Sequence, residues 1–154
     1  MSVRDSIFSG LVTRLEAVKT GNGYASNVAL VYRNALPAES VTIKDGHALV
    51  SLFDDGKSAT IQKGASNRLL KEARYVIRAK IQGTRMGLTP TQLADNWDGD
   101  MEELAYNLNA TPSLLHANVC AVEMDAYAGW NVSETDAIIA VPFLVLFWFD
   151  QTAP

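Results

Sequence analysis

Cysteine is almost missing from this chain: Cys120 is the only one in 154 residues. An internal disulfide is therefore impossible, nothing points to an oxidising compartment, and a cytosolic origin is the default. Histidine is nearly as scarce, with His47 and His116 far apart and no carboxylates clustered at ligand spacing, so zinc chemistry has no basis here. Basic residues stop at Arg85. Residues 86–154 carry ten acidic and no basic residues, a net of -10, whereas the part up to Arg85 carries thirteen basic and seven acidic, a net of +6. The overall charge of -4 conceals this segregation, which bears on partners and assembly and not on fold. Long apolar runs are also lacking. The most apolar stretch, Ala137 to Phe149, is shorter than the roughly 20 residues a bilayer requires and is interrupted by Pro142, so it is expected to be buried protein and no membrane is expected as a partner. Met1 to Asp5 runs directly into an amphipathic pattern containing an acid, unlike a secretory signal.

What is present suits a folded domain. Hydrophobic residues make up 48% and charged residues 19%, unlike the composition of disordered chains. Area scaling gives roughly 7,600 Å² exposed when folded against about 24,000 Å² unfolded, enough burial for a core. The expectation is one domain over residues 1–154 with an α+β fold: a mostly antiparallel sheet packed against an N-terminal amphipathic helix and a second helical region.

Ser2 with Asp5 forms a capping-box pattern, and Ile7, Phe8, Leu11, Leu15 and Val18 follow at helical spacing, with Gly21 as the stop. From Val28 the period becomes alternating. Turn signals at Asn34 to Pro37, Asp45-Gly46 and Asp55-Gly56 predict a meander: Val28 to Arg33, a hairpin of Val41 to Lys44 with His47 to Phe53, and a return strand Ser58 to Gln62. Arg74 to Gln82 alternates as a half-buried strand, Tyr75, Ile77, Ala79 and Ile81 inward. Thr89-Pro90-Thr91-Gln92 starts a second helix, expected to break near Gly99 and to end before Pro112. Val119 to Ala126 reads as a strand with Cys120, Val122 and Met124 on one side. Ala137 to Phe149 reads as a closing strand covered on both faces, with Pro142 at an edge or bulge.

Four motifs with catalytic or ligand associations have plainer explanations. Gly21-Asn22-Gly23 follows a helix instead of a strand, which suits a loop better than a dinucleotide site. Gly56-Lys57-Ser58 has Ser51 where a phosphate loop needs its first glycine, so a hairpin turn is expected. Asp95-Asn96-Trp97-Asp98-Gly99-Asp100 lacks the first and last calcium ligands, leaving helix capping as its expected role. Cys120 stands between Ala121 and the apolar Val119, close to His116, and burial in the core is expected of it instead of nucleophilic chemistry. No catalytic residue, cofactor or metal is expected.

The row Arg74, Arg78 and Lys80 is the most informative charged feature. It could pair with Glu123 and Asp125 on a neighbouring strand of the same subunit, meet the acidic region of another subunit, or bind nucleic acid. The last is disfavoured by the acidic net charge.

The order of elements resembles the tail-terminator or minor tail protein family of long-tailed bacteriophages. The resemblance is carried by Arg4, Ile7, Leu11 and Leu15 of the first helix, Gly23-Tyr24, Leu36-Pro37 with Val41 and Ile43, and the Ala137 to Phe149 strand, while residues 86–112 depart from it. It implies a structural virion protein of the tail, assembled in the host cytoplasm, that forms a ring, commonly of six copies. The implied partners are the tail tube protein and a neck or head-completion protein, with DNA passing through the ring unrecognised. Alternatives are a tail-tube or neck connector subunit, and a small cytosolic enzyme or ligand-binding domain. Arg74, Arg78, Lys80, Glu123 and Asp125 are the candidate subunit interface, because head-to-tail contacts need two complementary patches per copy.

Overall fold

The computed structural model of the chain describes residues 2–39, 41–43, 47–82, 87–125 and 129–150. Among these residues, Ser2 caps a first helix, α1 (Val3–Glu16): its hydroxyl accepts from the Asp5 amide while the Asp5 carboxylate accepts back from the Ser2 backbone. Ile7, Leu11, Leu15 and Val18 are fully buried, as the spacing predicts, and Phe8 packs at the margin against Tyr75. The helix does not run to Gly21. It ends at Glu16, and a short 3₁₀ turn, Thr20–Asn22, is closed by Gly23, whose φ of 90° is the left-handed conformation that glycine takes without strain. The side-chain amide of Asn22 donates to the Ala17 carbonyl at 2.8 Å, which holds the turn against the helix end.

Among the described residues six strands form one sheet of an α+β fold: β1 (Asn27–Arg33), β2 (His47–Lys63), β3 (Arg68–Gln82), β4 (Val119–Met124), β5 (Gly129–Val132) and β6 (Asp136–Asp150). The order is β1-β2-β3-β6-β4, with β5 also on β6. All pairings are antiparallel except β1 with β2.

The meander expected after Val28 is thereby corrected. β1 and β2 run parallel, which requires a crossover and not a hairpin. Val41 to Ile43 is not strand, and the expected turn at Asp45-Gly46, together with Lys44, lies outside the described residues. Asp55-Gly56 is no turn either. β2 continues through it as a bulge, with Gly56 at φ 74° and two extra residues between Asp54 and Ser58 relative to β3. Ser58 to Gln62 is therefore the outward half of β2, not a return strand. The reversal comes at Gly64 to Asn67, where Ser66 and Asn67 take positive φ and the Gly64 amide donates to the Arg68 carbonyl at 2.7 Å.

The second helix, α2 (Pro90–Ala110), begins with the expected Thr89 and Gln92 capping box and ends before Pro112, but it does not break at Gly99. Leu93, Trp97, Met101, Leu104 and Leu108 hold one buried stripe across the glycine, and tertiary packing outweighs a local cost of about 1 kcal/mol. Asp100 caps nothing. It sits in mid-helix at 3% exposure, and its carboxylate accepts from the Ala25 and Ser26 amides, both at 2.8 Å, tying the loop after α1 to α2.

Both helices pack on the same side of the sheet. One apolar core joins them to Ala48, Val50 and Leu52 of β2, the inward residues of β3 and those of β6. The exposed area of 8185 Å² is close to the scaling expectation of about 7,600 Å².

Candidate interaction surface

The face of the sheet turned away from the helices carries the sequence-predicted basic row. On β3, Tyr75, Ile77, Ala79 and Ile81 are inward, so the period of two sends Arg74, Val76, Arg78 and Lys80 to the other face, where they are partly exposed. β6 lies beside β3 over its whole length and alternates in step. Ala137, Ile139, Val141, Phe143, Val145 and Phe147 are buried at 1% exposure or less, while on the other face Ile138, Ala140, Leu144, Leu146 and Trp148 are half-buried and Pro142 is buried. Cα register places Arg74 against Leu144, Arg78 against Ala140 and Lys80 against Ile138. The closing strand is thus apolar on both sides but helix-covered on one, which corrects the expectation of cover on both.

Pro142 is not on an edge strand, because β6 has β3 on one side and β4 and β5 on the other. The Asp125 amide donates to the Pro142 carbonyl at 2.9 Å. Since the N and C=O of one strand residue point the same way, the Pro142 nitrogen faces Asp125, just past the end of β4.

The sheet order also decides how the charges meet. Glu123 pairs with Leu144 from the β4 side, directly across β6 from Arg74. Arg74 and Glu123 are therefore two strand spacings apart, about 10 Å, and neighbouring-strand pairing between β3 and β4 is ruled out. Among the described residues neither Arg74 nor Arg78 forms an ion pair; Lys80 approaches Asp136 at 4.0 Å, and the other pairs are Arg4 with Asp54 and Asp55, and Arg68 with Asp150. Asp125 is at the end of β4, anchored through its backbone. Beside the basic row, Leu49 and Ser51 of β2 are buried at 5% and 0%, in register with Lys80 and Arg78, whose long stems can shield them.

The opposite surface of the molecule is the outward side of α2. Asp95, Gly99, Glu102, Glu103 and Tyr106 recur there at helical spacing and are exposed, Tyr106 by 75%, and the helix contains no Lys or Arg. The sheet face carries Arg74, Arg78 and Lys80 together with Glu72, Glu123 and Asp136, whereas the outward side of α2 carries acidic side chains and no basic one. Asp95, Glu102 and Glu103, at a spacing of seven and eight, are a signal of this acidic side that the sequence carries beside the basic row.

Cys120 is exposed, contrary to expectation, because the β4–β6 register slips between Val119 and Ala121 and the bulge turns its side chain outward; its thiol lies 3.4 Å from the Leu146 carbonyl. His116 accepts from the Asn118 amide at 3.0 Å, a turn contact at the approach to β4. Ala126, the expected end of that strand, lies outside the described residues. Near the start of α1 a cavity of about 110 Å³ is lined by Arg4, Lys71 and Phe149, well below the size of ordinary ligand sites. Among the described residues no helix is long and apolar enough to cross a membrane. No protein-family model matches the chain, and no curated protein matches it.

Proposed function

We propose that this chain is a structural subunit of a bacteriophage tail that assembles with copies of itself into a ring, ending the tail tube and joining it to a neck or head-completion protein. The observation that carries the reading is the open sheet face: a continuous apolar row on β6 flanked by Arg74 and Arg78, which no ion pair within the described residues neutralises. The row is half-buried and rimmed by polar groups, which fits an interaction surface. Arg74 and Arg78 without an ion-pair partner among the described residues on one side, and the acidic outward side of α2 on the other, suit head-to-tail contacts, which generate rings when the rotation closes. The order of elements adds the phage-tail context through its resemblance to tail terminators.

The test is to add the protein to polymerising tail tube protein and measure tube length by electron microscopy. Tubes of limited length with a ring at one end support the proposal. Tubes that contain the protein along their length point to a tube subunit, and tubes of unchanged length with no protein attached contradict the proposal.

A further inference from the structure

We infer that the open sheet face of one copy receives the outward side of α2 from the next copy. This rests on the ring reading and names its interface. Three independent features of α2 fit the face that would receive it.

The first is charge. Asp95 and Glu102 lie one heptad apart on one side of the helix, about 10 Å along its axis, and Arg74 and Arg78 lie about 13 Å apart along β3. Two carboxylates can therefore reach two guanidinium groups at once when α2 lies along β3 and β6. Its 21 residues span about 30 Å, within the roughly 50 Å of the 15-residue β6.

The second is Gly99. A glycine inside a helix is unfavourable by about 1 kcal/mol relative to alanine, and an added Cβ at Gly99 would meet nothing within 4 Å in the same copy. Packing within the subunit gives no reason for the missing side chain. Between Asp95 and Glu102 it leaves a flat place on the helix surface that lets Leu144 and its neighbours approach closely. The third is Tyr106, whose ring is presented to solvent at the end of the same stripe, in the manner of the aromatic anchors that dominate interfaces.

Because the two surfaces lie on opposite sides of the molecule, a symmetric pair cannot satisfy both, and each copy both gives and receives. Copies then close into a ring or run on as a filament.

A charge swap tests this. Arg74→Glu/Arg78→Glu reverses the two guanidinium positions, and Asp95→Lys/Glu102→Lys reverses the two carboxylates that reach them. Each variant alone is expected to associate about a hundredfold more weakly than the parent in sedimentation velocity. An equimolar mixture is expected to regain assembly, with the two variants alternating in an even number of positions. Gly99→Trp, at a position where an added Cβ meets nothing within 4 Å in the single copy, is expected to block association while circular dichroism stays unchanged. Either charge variant assembling like the parent, or a mixture that stays dissociated, overturns the inference while parent assembly keeps the ring reading intact. A parent protein that stays monomeric with and without tail tubes overturns the ring reading and this inference together.

Discussion

The two faces of the sheet are built by the same strands one residue out of step, yet they differ in what covers them. On β6, Phe143 is fully buried under the helices, whereas Leu144, the next residue, stands partly exposed between Arg74 and Glu123. Both rows are apolar. A strand apolar on both sides is the pattern of one covered on both sides, and among the described residues the helices cover only one. The composition of β6 is thus explained by the helices on one side only, and the proposed second copy would account for the other.

The largest expected effect is on the covered side. Phe143→Ala is expected to destabilise the fold by about 3–5 kcal/mol in urea denaturation. Leu144→Ala, one position away, is expected to cost under about 1 kcal/mol in the dissociated protein and to weaken self-association roughly tenfold. Equal losses of stability at the two positions would erase the distinction between the faces.

Next in size is the tie between α2 and the rest of the helix layer. Asp100→Ala leaves the Ala25 and Ser26 amides without their acceptor, and a loss of roughly 3 kcal/mol is expected. If urea denaturation shows a loss far below that, the carboxylate is not what positions the acidic side of α2.

The smallest effect is read by pH. Burial, with a lesser contribution from the nearby Asp54 carboxylate, pushes the Tyr75 hydroxyl well above its ordinary 10.0. A group whose pKa is raised by folding contributes stability that is present below its unfolded value and lost as pH rises above it. The thermal midpoint is therefore expected to fall above about pH 10. Tyr75→Phe, which gives up only a 3.4 Å bond to the Arg4 carbonyl, is expected to flatten that fall.

Much of the fold was legible where the signal is local. Ser2 with Asp5 and Thr89 with Gln92 announce both helices because a capping box is written in four residues, and Arg74 to Gln82 announces its faces by alternation. What was not legible depends on distant partners. Gly56 carries the same local signal for a turn and for a bulge, and only the pairing of β2 with β3 decides between them. Cys120 was assigned to the core by parity, which a bulge reverses without any mark in the sequence. Gly99 was taken for a break because the buried stripe that holds α2 together exists only against the sheet.

The candidate surface was half legible. Arg74, Arg78 and Lys80 stood out by alternation, but their separation from Glu123 required knowing that β6 runs between β3 and β4. The apolar row on β6 pointed to cover on both faces, and the helices supply it on one.

Hydroxyl-radical footprinting across a concentration series tests most directly whether a second copy covers the open face. The account predicts that Leu144, Leu146 and Tyr106 lose reactivity together as the protein assembles, while Ile61, exposed far along β2, keeps its own. Assembly that leaves Leu144 and Leu146 as reactive as in the dilute protein would contradict it.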